Sequence, residues 1–147
     1  GEEEAFGQVS TTTTLYTPQV LGLATELAFY PLGDNLTFKG SARSPVCGSA
    51  IEIAFALDGG EMINRIGMKV HACAIGQAAA AIFAKAASGN DREKLSLALG
   101  QIEDWLSGKR SELPDWPELQ AIAAARDFPG RHGAILLPWR AALDALP

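Results

Sequence analysis

Two cysteines, two histidines and a serine are the residues here whose types and placing could do ligand or thiol chemistry. Cys47 sits in SARSPVCGSAIEIAF, residues 41–55, beside Gly48 and two positions before Ser49, while Cys73 follows His71 by two residues in HACAIGQAAA, 71–80. The second histidine, His132, lies far along the chain. Two thiolates with one or two imidazoles could satisfy a tetrahedral zinc site or four-coordinate cluster iron. The spacing alone does not choose a metal, because the chain has no CxxC pair and no compact CxxH group. The competing readings are cysteines that act as small buried hydrophobes and histidines that bind nothing. A thiol enzyme, with Cys73 as nucleophile and His71 as base, is the weakest reading, since no Asn or Asp is evident to orient the imidazole.

The elements that must position these residues follow from periodicity. Leu36–Arg43 can extend with Leu36, Phe38, Gly40 and Ala42 on one side. Ile51, Ile53, Phe55 and Leu57 alternate with Glu52, Ala54 and Ala56, and Ile66, Met68 and Val70 oppose Arg65, Lys69 and His71, which is the period of strands with one better-buried face. DGGE at 58–61 lacks a phosphate loop's lysine and supplies a hairpin turn, so the three strands read as an antiparallel meander. Cys47 then falls in the bend between the first two strands, and Cys73 falls where the third strand gives way to a helix. Exposed N–H groups at that helix start would favour a Cys73 thiolate.

Helices fill the remainder. Thr17-Pro18 reads as N-cap and first position of a helix to about Ala28, burying Val20, Leu21, Ala24, Leu27 and Ala28. AIGQAAAAIFAKAASG reads as a helix closed by Gly89, followed by a helix whose capping box is Asn90 with Glu93, stopped by Gly108. Asp115 with Glu118 repeats that signal before a short helix reaching Arg126. Phe128-Pro129-Gly130 reads as a break, with His132 in the turn feeding a last helix that ends near Leu146. Pro138 either kinks that helix or marks a first turn starting near Leu137. Trp105, Trp116 and Trp139 read as packing residues.

Composition narrows the function classes. The chain of 147 residues is 48% hydrophobic with a net charge of −5, from 17 acids against 12 bases. The expectation is a tail over 1–14 and a single domain over 15–147, able to fold without a disulfide or structural metal. Its sign of charge disfavours nucleic acid, no stretch is apolar enough for a bilayer, and no signal peptide is evident, so the expected location is cytoplasmic with free thiols.

On these residues the chain resembles the IscU and NifU N-terminal-domain scaffolds of iron–sulfur cluster assembly, closest to the SufU-type branch. The resemblance runs from about Leu15 to Leu146. PVCGSAIEI at 45–53 is similar to the first cysteine motif, HACAIGQAAA to the second, and RHGAILLPWRAAL at 131–143 to the third. It implies an α+β fold, a three-stranded antiparallel sheet packed against helices, and a protein that is not an enzyme. It also implies a site at Cys47 and Cys73, with Ser49 in place of the family's aspartate and Gly133 in place of its third cysteine. His132 or His71 would substitute for the missing thiolate, His132 being the ligand named with the two cysteines, and His71, Ser49, Gly133 and Arg131 are additional metal or site-lining residues. The cargo would be zinc, iron or an iron–sulfur cluster, held more weakly than by an intact thiolate set, or no metal at all. A cysteine desulfurase is the partner implied. Two functions follow: a scaffold-like protein binding metal or cluster through this incomplete site, or a metal-free relative that binds a partner of the assembly pathway.

Overall fold

Alternation of buried and exposed residues sets the sheet. In a computed structural model of the chain, which describes residues 15–147, β1 (Phe38–Arg43), β2 (Ala50–Leu57) and β3 (Ile63–His71) form an antiparallel meander in the order β1-β2-β3. The expected tail over 1–14 lies outside the described residues. Cross-strand rows show how the faces divide. Phe38–Phe55–Ile66, Gly40–Ile53–Met68 and Ala42–Ile51–Val70 make the inner face. Lys39–Ala54–Gly67, Ser41–Glu52–Lys69 and Arg43–Ala50–His71 make the outer one.

Among the described residues four α-helices pack with the sheet: α1 (Pro18–Thr25), α2 (Ala74–Ala86), α3 (Arg92–Ser107) and α4 (Pro129–Ala145). Short 3-10 segments run over Glu26–Phe29 and Leu119–Asp127. The last helix packs on β1 and β2 and also against α2 and α3, so it is the central pillar. Its approach to the sheet requires Gly40, because a Cβ there would collide with the backbone of Ala141 and Ala145. At the outer edge of β1, Asp144 on α4 accepts the Ser41 amide at 2.9 Å, covering one of the groups an edge strand leaves unpaired.

Between sheet and helices lies an aromatic cluster. Phe83 stacks on Trp116 with centroids 5.7 Å apart, and Trp139 meets both edge-on at 5.4 and 5.2 Å. The Trp116 indole donates to the Ile82 carbonyl at 3.0 Å, whereas the buried Trp139 Nε1 has no partner among the described residues. Trp105 packs in the core beneath the Arg126 guanidinium, so all three tryptophans serve packing.

Several local expectations shift, each for a physical reason. The first helix buries Val20 and Leu23 with Leu27 beside them, the three- and four-residue spacing of one stripe, and turns Leu21 and Ala28 outward. Thr17 caps it as expected, its Oγ1 accepting from Val20 N at 3.2 Å. Asn90 does not cap α3: its amide donates to the carbonyls of Ala86 and Ala87 at the end of α2, and Asp91 accepts from Lys94 N instead. Glu118 makes no capping box either. Its backbone is left-handed at φ 66°, and its carboxylate pairs with Lys85 at 2.9 Å, Lys85 also reaching Glu26. Gly108 stops α3 in the left-handed conformation as expected. Pro129 is not a break but sits in the first turn of α4, where a missing N–H costs nothing, and the helix runs on through buried Pro138.

Candidate functional site

The β1–β2 connection is a small closed loop built around buried hydroxyls. Ser44 N–H donates to the Ser49 carbonyl and Gly48 N–H to the Ser44 carbonyl, both at 2.8 Å. Gly48 adopts φ 72°, the left-handed conformation that lets the chain reverse without a Cβ clash. Ser44 and Ser49 are each 3% exposed, while Val46 is 81% exposed and Cys47 lies open to solvent between them in the chain. The Cys47 Sγ lies 3.1 Å from Ser49 Oγ. Hydrogen bonding from Ser44, and next from Ser49, holds the Cys47 thiol below its ordinary value, against a smaller opposing effect of burial. Hydroxyls that donate to a thiolate stabilise the charged form, which is the form that attacks electrophiles and binds metals.

Cys73 is the N-cap residue of α2, half-buried and extended at φ −64°, ψ 170°. Its carbonyl accepts from Gln77 N at 2.9 Å, but its sulfur takes no helix-terminal N–H, so the expected sulfur cap does not form. β3 ends at His71, and Cys73 begins the next element, so the two residues do not share a continued strand face. His71 is exposed on the outer face opposite Ala50. Among the described residues no hydrogen bond joins its imidazole to either thiol.

The third segment arrives on the first turns of α4. His132 lies inside that helix rather than in a preceding turn, and its Nε2 is 2.7 Å from the Arg126 carbonyl. Arg131 donates to the Tyr16 hydroxyl at 3.0 Å. Gly133 abuts the Cys47 loop: a Cβ there would run into Ser44 Oγ and lie 3.1 Å from Ser44 Cβ. Gly76 plays the matching part on α2, where a Cβ would sit 2.7 Å from Ala72 Cβ and 3.2 Å from Ala134 Cβ. Together these contacts, and the pairing of Ala50 with His71, bring all three segments to one end of the sheet.

Convergence of segments is not convergence of ligands. Among the described residues, no three His, Cys, Asp or Glu side chains gather to hold a metal ion. A third thiolate at position 133 would have to displace Ser44, and His132, bonded through Nε2 to the Arg126 carbonyl, has only Nδ1 left to offer a metal. Ser44 is the residue that sequence reasoning missed. Its only signal was a Ser-Pro dipeptide that initiates turns, and nothing ranked it above Ser49.

The sheet order, the covering helices and the meeting of three segments at one end define a class: the α+β fold of IscU-, NifU- and SufU-type iron–sulfur scaffold proteins. Among solved structures, a nitrogen-fixing NifU-like protein (N-terminal) from Brucella abortus is similar with a TM-score of 0.80 and 20% identity, over 92% of this chain and 94% of that one. A putative iron–sulfur cluster assembly scaffold protein for the SUF system from Fervidobacterium islandicum gives 0.77 and 21%, over 92% and 99%. A hypothetical protein of known structure gives 0.66 and 20%, over 86% and 95%. No family model matches the chain, and no curated protein matches it. No helix of the described residues is long and apolar enough to cross a membrane.

Proposed function

We propose that the chain serves iron–sulfur cluster assembly as a scaffold-fold docking protein, which binds a partner of the pathway and presents Cys47 as a single exposed thiol. The observation that carries this reading is the Ser44 side chain standing where any side chain at position 133 would point. The absence of a three-ligand group among the described residues supports it. The implied partner is a cysteine desulfurase, through the likeness to NifU-like and SUF-system scaffolds. Such a protein is not an enzyme: its work is association and thiol exchange. The test is a binding titration against the host's cysteine desulfurase in reduced and oxidised buffer. Saturable association is expected, and its absence in both states overturns the proposal.

A second reading keeps zinc, iron or a cluster as cargo on Cys47, Cys73 and His132, the domain over 15–147 being the unit that carries it. Two free thiols on segments that meet at one end of the sheet favour it. It requires His132 Nδ1, the ring nitrogen not bonded to the Arg126 carbonyl, and the two thiols to draw together around one ion. Anaerobic reconstitution, followed by iron, zinc and acid-labile sulfide per chain, separates the readings: stoichiometric metal that is lost in Cys73→Ser carries the second, and none discards it.

A further inference from the structure

The outer face of the sheet has a charge opposite to that of the chain. Lys39, Arg43, Arg65 and Lys69 all stand on it and are exposed, with Glu52 the only carboxylate the strands place among them. The chain as a whole carries −5. Among the described residues none of these four cations has an ion-pair partner; the ion pairs found lie elsewhere, at Lys85 and Arg140. Asp144 and Asp34 rim the Lys39 end, the former bonded to the Ser41 amide, which leaves the Arg43 end the more basic.

That end is also hollowed. A shallow depression of about 640 Å³ lies over the strands, with Ser41 and Arg43 on one side, Lys69 and His71 on the other, and Ala50 and Glu52 between. Ala50 keeps the middle strand low between Arg43 and His71, while Glu52 rises between Ser41 and Lys69. The depression begins where the Cys47 loop ends, because Arg43 and Ala50 are the last paired residues before it.

We infer that this outer sheet face is a docking surface for an extended acidic segment of a partner protein, laid across Arg43 and Lys69 beside the Cys47 loop. Arg43 on β1 and Lys69 on β3 are two strands and two residues apart, roughly 12 Å, which is close to the span of carboxylates four residues apart in an extended chain. Glu52 between them sorts ligands. It repels a continuous polyanion such as nucleic acid and tolerates a segment whose acids are spaced around it. The surface does not depend on which protein supplies the segment, nor on whether the desulfurase binds.

The experiment is a titration at low ionic strength of a fluorescent twelve-residue peptide with glutamates at every fourth position and Thr or Ser between. Controls are a peptide of identical composition with its glutamates contiguous and a single-stranded oligonucleotide. Spaced glutamates should bind most tightly. The R43E/K69E variant should weaken them about tenfold, the scale expected for reversing two exposed pairs. The K94E/K109E variant, which changes net charge equally away from this face, should weaken them less than threefold. Unchanged circular dichroism and melting would show that the variants are folded. Equal losses in the two double variants, no preference for spaced glutamates, no binding at all, or tighter binding of the oligonucleotide would each overturn the inference. Desulfurase binding is measured in parallel: if it survives while the peptide fails, this surface falls and the proposed function stands.

Discussion

Replacing Gly133 by alanine isolates the contact that closes the third position. Within a helix, glycine to alanine ordinarily stabilises by about 1 kcal/mol, because alanine loses less backbone entropy on folding. Here the added Cβ would run into Ser44 Oγ and sit 3.1 Å from Ser44 Cβ, and overpacking of that kind costs about 1–3 kcal/mol. The two effects nearly cancel or leave a net loss of up to about 2 kcal/mol, which in a chain of this size lowers the melting temperature by up to roughly 8 °C. Replacing Ser44 by glycine removes both the Oγ and the Cβ. In that background Gly133→Ala should recover the ordinary gain, so a double-mutant cycle of Ser44→Gly and Gly133→Ala, read by thermal and urea unfolding, should show a coupling of about 1–3 kcal/mol. Additive effects, with Gly133→Ala stabilising both backgrounds alike, would refute the claim that Ser44 occupies this space.

Two further outcomes follow from the same geometry. Alkylation of Cys47 by iodoacetamide, followed by mass spectrometry across pH, should rise with a midpoint below the ordinary thiol value, and Ser44→Ala should move that midpoint upward more than Ser49→Ala does; an unmoved midpoint removes the hydroxyl explanation. Trp139→Ala should cost about 3–5 kcal/mol, while Trp139→Phe costs under about 1.5 kcal/mol, because the N–H it discards is buried without a partner; equal losses in urea titrations would show that this group is satisfied after all.

The sequence by itself determined the meander, the hairpin at Asp58–Glu61, the outward Glu52, the helix start at Thr17-Pro18 and the stop at Gly108, because each rests on a period or a cap contained within a few neighbouring residues. It also placed both cysteines at element ends, and the resemblance it carried matched the fold. Where a capping residue had two choices, local reasoning did not decide: Asn90 turned back to α2 and Glu118 turned to Lys85, drawn by carbonyls and charges that only folding brings near. The site shows the same division. Cys47 and Cys73 could be named from their types, but Ser44 could be recognised only after α4 had carried Gly133 against it across a separation of 89 residues in the chain. Side-chain competition for one small volume is a property of tertiary packing, and no pattern within a single element encodes it.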